Sequence, residues 1–248
     1  MVLVAAIALS ALLWPAMGPD SQAEPFVRPE FAQQIETLRP AILDAAARHN
    51  RPKLSGMSDE QFAVAIAQIL YNEHFGWLEQ ELPPLRGLTP WYQATQIMLN
   101  GTTGTNFTVW PSNIRPSVAA EILRGEVPLP GSPYTIVIPI RIHGSQIDLD
   151  HFPDQRAAYA ALNSEISRPD LAIEYLAANL ERGVYRAQAE GVPVTWEVLA
   201  AWHNQGIVSP QAIQQSSAAR HYLRRAAAYR SLAEQLVSPR EQHAESGL

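Results

Sequence analysis

The sequence predicts a mainly α-helical protein carrying one small β-hairpin insertion. Apolar residues recur at helical spacing through most of the chain, and Pro, Ser or Thr stands where helices should begin and Gly where they should end. One stretch alone, Tyr134 to Leu149, alternates Ile and Val with other residues around a His-Gly-Ser turn.

The elements follow in order. Pro29 to Asn50 carries Phe31, Ile35, Leu38, Ile42 and Leu43 at helical spacing, with Pro40 expected to bend or divide it. Ser58 and Gln61 form a capping box that opens a helix expected to reach about Gln80. Thr89-Pro90 reads as an N-cap followed by Pro at the first helical position, with the end near Asn100-Gly101. A short helix follows Pro116 and stops at Gly125. The longest uninterrupted helical pattern runs from Ser167 to Gly191. Thr195 caps a helix ending at Gly206, and Ser209-Pro210 opens a last amphipathic helix to about Leu236. In the hairpin, Pro139 belongs on an edge strand because it has no N–H to give to a ladder.

Val2 to Met17 is an uncharged apolar run, shorter than the roughly 20 residues of a spanning helix and suited to a secretory h-region. Ala16, Gly18 and Ala23 offer small residues for cleavage. No Lys or Arg precedes the run, and Arg28 is the first cation. The expected organisation is a leader or membrane anchor over residues 1–24, a helical extension over 25–53, the main domain over 54–237 and a flexible tail over 238–248. The protein is then expected outside the cytoplasm, secreted or held to the membrane by that segment.

Composition narrows function. An apolar content of 47% in 248 residues is enough for a substantial core. A net charge of −6 lacks the basic footprint of a duplex nucleic-acid binder, so no nucleic-acid partner is expected. The absence of cysteine excludes disulfides, a thiolate nucleophile and Cys-ligated zinc.

Three places carry candidate chemistry. On the helix from Ser58, Phe62, Ile66, Ile69, Leu70 and Trp77 form one stripe and Glu73 falls in its middle, while Glu60 and Glu79 lie opposite. A carboxyl group set into an apolar stripe must be paired or kept protonated, and a protonated buried acid is what glycoside cleavage requires of its proton donor. The alternative is a structural Glu bonded to a helix end or an Arg. In the helix from Thr195, Trp196, Leu199, Ala200 and His203 share a face, which turns His203 inward as a cleft residue or a core histidine and leaves Asn204 at the helix end. In the loop Thr108 to Pro116, Trp110 offers a flat face for a sugar ring, and Asn113 offers donor and acceptor for an acetamido group. Trp110 is otherwise an anchoring aromatic.

Taken in order, AIAQILYNEHFGW, WPSNIRPSVAAEIL, RPDLAIEYLAANLERGVYRAQAEG and WEVLAAWHNQG resemble segments of the lysozyme-like fold of the lytic transglycosylases and goose-type lysozymes. The resemblance spans roughly Leu54 to Leu236. It implies cleavage of the MurNAc–GlcNAc β-1,4 bond in peptidoglycan glycan strands, with no metal and no other cofactor. It makes Glu73 the general acid and base, and gives substrate contacts to Asn113, with Trp110 and Ser112 in the same loop, and to the His203-Asn204 pair. This sequence departs from the family pattern at His74, where Ser is usual, at Val109-Trp110 in place of the loop Gly, and at Asn113 and His203 in place of Gln and Tyr. A bulky residue at the loop Gly alters the backbone or fills the cleft. The competing reading is therefore a catalytically degenerate, exported helical glycan-binding or scaffold protein. His143, Asp148, Asp150 and His151 read as solvated turn residues before they read as metal ligands, and Asp148 or Asp150 is the candidate second carboxylate. The pair Arg224-Arg225 reads as a solvated face.

Overall fold

The computed structural model describes residues 25–206 and 208–238, and the expected leader and most of the expected tail lie outside them. The described chain is mainly helical with one two-stranded antiparallel sheet. Helix α1 (Pro29–Thr37) and α2 (Arg39–His49) are divided at Leu38, one residue before Arg39-Pro40. They are followed by the single turn α3 (Pro52–Ser55), then α4 (Asp59–Glu73), whose Ser58–Gln61 capping box is complete in both directions.

The expected helix to Gln80 stops at Glu73. Phe75 takes a left-handed conformation at φ 62°, and α5 (Gly76–Glu81) restarts beyond it, so Trp77 belongs to a second axis. Gly76 is required there, because a Cβ would lie 2.2 Å from the Phe26 carbonyl oxygen. After a 3₁₀ turn at Pro83–Gly87 comes α6 (Thr89–Thr103), capped by Leu88 rather than by Thr89, which is already its first residue. It runs three residues past Asn100 and ends at Gly104, left-handed at φ 66°. Then follow α7 (Pro116–Leu123), β1 (Glu126–Pro128), β2 (Thr135–Val137) and α8 (Gln155–Ile166), a helix the apolar periodicity did not announce and Asp154 caps.

The hairpin is displaced from its expected place. β2 pairs with β1 upstream, Val127 opposite Ile136, and the stretch 138–149 forms no strand. Ile138, Ile140 and Ile142 still alternate inward. Pro139 has no N–H; the Ile138 and Ile140 amides donate to the Gly125 and Ile138 carbonyls, and two further amides reach buried carboxylates, His143 to Glu174 and Gln146 to Glu165. A second strand is not needed to satisfy them.

Helix α9 (Pro169–Glu190) is the centre of the molecule. It is buried nearly all round from Leu171 to Ala187, as expected of a helix enclosed by others. Helices α2, α4, α7, α8 and α10 (Trp196–Gln205) pack against it. Thr195 caps α10 as expected, accepting from the Val198 amide. The expected last helix is three: α11 (Pro210–Gln215), α12 (Ser217–Ala228) and α13 (Arg230–Val237), because Ser216 opens a new N-cap by accepting from Ala219. Phe31, Ile35 and Ile42 belong to the same apolar core as α4 and α9, so the helices of residues 25–53 pack on the main domain.

Candidate functional site

Glu73 is the last residue of α4, 7% exposed and at the edge of the apolar core. Three elements distant in sequence converge on its carboxyl group. The loop before α7 is pinched by a bridge between Val109 and Ile114, which puts Asn113 in a left-handed turn at φ 51°. Asn is one of the few side chains that tolerate that backbone, and here its Nδ2 donates to Glu73 Oε2. From α12, the Tyr222 hydroxyl donates to Oε1 at 2.6 Å. From α10, His203 brings Nε2 to 3.7 Å from Oε1.

The His203 ring is oriented by a polar relay. Arg182 donates to Asn179 Oδ1 at 3.0 Å, which turns the Asn179 Nδ2 toward His203 Nδ1 at 3.3 Å. With Nδ1 accepting, the ring proton of the neutral form sits on Nε2, the atom facing the carboxyl group. Burial lowers the His203 pKa below the ordinary histidine value, against the opposing pull of Glu73 and the Ser112 carbonyl, so the ring is a neutral donor near pH 7. Burial, then the charge of Glu73 and the bond to it, raise Tyr222 well above the usual phenol value and keep its proton in place. Arg225, expected on a solvated face, lies 4.0 Å over the Trp77 ring, and its charge reaches Glu73 and Glu81; Arg224 is exposed as expected.

The other sequence candidates divide. Ser112 is fully buried and contributes its carbonyl to His203, while its Oγ has no hydrogen-bond partner among the described residues. Trp110 is half-buried and packs edge-on against Phe31, with its indole N–H buried and without a hydrogen-bond partner among the described residues. Asn204 is exposed and bonds its neighbour Gln205, so it is His203 and not Asn204 that meets Glu73. His74 is enclosed and faces away: its ring stacks on Phe31 at 4.4 Å, and burial pushes its pKa down to about 4.

Asp148 and Asp150 are exposed and do not reach Glu73; Asp148 pairs with His151 at 2.8 Å on the surface. Among the described residues no cluster of three or more His, Asp or Glu is arranged to hold a metal. Tyr222 and Asn179 escaped sequence reasoning. Tyr222 shares a face with Ala219 and Ala226, a pattern that reads as ordinary core.

A cavity of about 330 Å³ opens beside the site, lined by Arg115, Ser117, Arg182, Trp202, His203 and Gln205. A larger one of about 620 Å³ lies between the start of α4 and the start of α10, beside Met57, Gln68 and Trp196. Glu73 lines neither, but His203 is shared between the smaller cavity and the carboxyl group.

No protein-family model, curated protein or solved structure matches this chain.

Proposed function

We propose that the protein cleaves peptidoglycan glycan strands at the MurNAc–GlcNAc β-1,4 bond, on a lysozyme-like helical scaffold and outside the cytoplasm. The observation that carries this reading is the convergence of Asn113, Tyr222 and His203 on the buried carboxyl group of Glu73. An amide, a phenol and a neutral imidazole hold the acid in one orientation, as proton transfer to a fixed sugar oxygen requires. His203 also lines the smaller cavity, which we take as the place where a carbohydrate approaches the group.

In the reaction, Glu73 gives its proton to the bridging oxygen as the C1–O4 bond breaks. The resulting carboxylate then takes the proton of the 6-hydroxyl as O6 bonds to C1, which yields a 1,6-anhydro sugar and returns Glu73 to its starting form. No second carboxylate nucleophile enters the scheme, in keeping with the outward placement of Asp148 and Asp150. Asn113 would exchange its bond to Glu73 for one to the sugar acetamido group. Trp110 and Asn204 would border the bound strand.

Glu73→Gln is expected to reduce clearing of purified peptidoglycan by about 10²-fold or more while the helical circular dichroism signal stays intact. Anhydro-muropeptides detected by mass spectrometry from the parent protein identify the reaction. An unchanged clearing rate in the variant removes Glu73 from the chemistry. The low exposure of Glu73, with both oxygens already bonded, favours a second reading: an exported glycan-binding or scaffold protein. Its signature is capture by intact saccules with no release of muropeptides.

A further inference from the structure

Helix α6 is inside out. Its buried positions are the polar Thr89, Gln93, Gln96 and Asn100, and its exposed positions include Trp91 and Met98. Leu88, Trp91 and Met98 are 56%, 59% and 57% exposed and account for three of the six large exposed apolar side chains among the described residues. They recur at helical spacing with the exposed Ala94 between them, and Pro83 and Pro84 extend the surface through the preceding turn. From Gly87 to Gly101 no residue carries a charge. An amphipathic helix normally turns its apolar side to the core, so this face is built for contact with something apolar outside the fold.

The chain itself points to what that is. Residues 1–24 contain the uncharged apolar run Val2–Met17, and the described chain begins near the turn that leads into α6. The Phe26 amide donates to Gln80, and the Arg86 guanidinium lies 4.4 Å over the Phe26 ring, two residues before Leu88. The apolar run of the sequence thus joins the described chain at the turn that precedes the apolar helix face.

We propose that α6 is a lipid-contact helix that seats the folded domain on a bilayer, with Leu88, Trp91 and Met98 entering the boundary between headgroups and acyl chains. The association is hydrophobic. The net charge of −6 and the uncharged helix disfavour an anionic surface even with Arg86 two residues before Leu88, so a zwitterionic phosphatidylcholine surface suffices. The proposal is independent of the chemistry assigned to Glu73.

The absence of native cysteine makes site-specific labelling direct. Met98→Cys in the full chain, carrying an environment-sensitive fluorophore, is expected to emit as a water-exposed dye in dilute buffer. Its emission should shift to the blue on addition of phosphatidylcholine vesicles, while the same dye at exposed Lys53→Cys should not respond. Adding Leu88→Ser and Trp91→Ser is expected to raise the lipid concentration for half-maximal shift by about tenfold or more. Flotation with vesicles but no shift at position 98 overturns the proposal, since the apolar run alone then holds the chain. A signal already blue-shifted in buffer also overturns it, because the N-terminal segment or a second copy then covers the face. A requirement for anionic lipid does the same.

Discussion

Each oxygen of the Glu73 carboxyl group is served by a different part of the chain, Oε2 by Asn113 and Oε1 by Tyr222. Tyr222→Phe deletes one donor without changing the shape of the core, and leaves a nearly buried oxygen with only the distant His203 ring. Loss of such a bond costs about 1–3 kcal/mol. The expected result is a lower urea midpoint at unchanged slope, together with slower clearing of peptidoglycan if that is the reaction catalysed. The inward direction of Glu73 was legible in the sequence, because helical periodicity alone assigns it to the apolar face. Asn113 and His203 were legible as candidates from residue chemistry and helical spacing, and their place beside Glu73 only through a family resemblance. Tyr222 was not legible: 149 residues separate it from Glu73, and no local pattern distinguishes a tyrosine that bonds a carboxyl group from one that fills a core.

Among the elements, the contact between α2 and α9 is held by ions as well as by packing. His49 lies between Glu174 at 3.0 Å and Glu181 at 2.7 Å, and Arg48 on α2 and Arg51 just beyond its end complete the pairs. Burial pulls the His49 pKa down, but the bonds to both carboxylates outweigh it and leave it above the ordinary value. Burial opposes ionisation of Glu174, yet hydrogen bonds from His49, Arg48 and the His143 amide hold it down to about 2. The stabilisation from His49 is therefore complete below its unfolded pKa of 6.5 and fades as pH rises through the folded value. That from Glu174 is complete above 4.5 and fades as pH falls toward about 2. The thermal midpoint contributed by this cluster should peak between those limits, and His49→Gln should flatten the alkaline decline in a pH series of melts. The same cluster also fixes the stretch after β2, since Glu174 accepts the His143 amide as well. Periodicity found the alternation of Ile138, Ile140 and Ile142 correctly but had no means of knowing that distant carbonyls and buried acids would take these amides in place of a second strand.

Across the whole molecule, the second and the last described helices close on one another. Arg39, at the start of α2, donates to the carbonyls of Leu236, Val237 and Ser238 at the end of α13, and thereby satisfies orphan acceptors of the helix terminus. α13 also packs along α4, the helix that carries Glu73. Arg39→Gln is expected to lower the thermal midpoint by several degrees, taking about 1.5–3 kcal/mol for charged donors to carbonyls at this chain length. Proteolysis should begin at the freed C-terminal end, and an unchanged melt with an intact C-terminus would show that α13 is held by its apolar contacts alone.

Helical content, most helix starts, the Ser58 capping box, and the inward side of Glu73 are properties of a few adjacent residues, so the sequence by itself determined them. Local steric preference, capping and the 3.6-residue period act over one or two turns and leave their mark in neighbouring letters. The break after Glu73, the polar interior of α6, the upstream pairing of β2 and the meeting of Glu73 with Asn113, Tyr222 and His203 were decided only by tertiary structure. Each depends on which distant side chain or backbone group is there to accept a buried proton or fill a space, and that is settled by how the helices pack around α9.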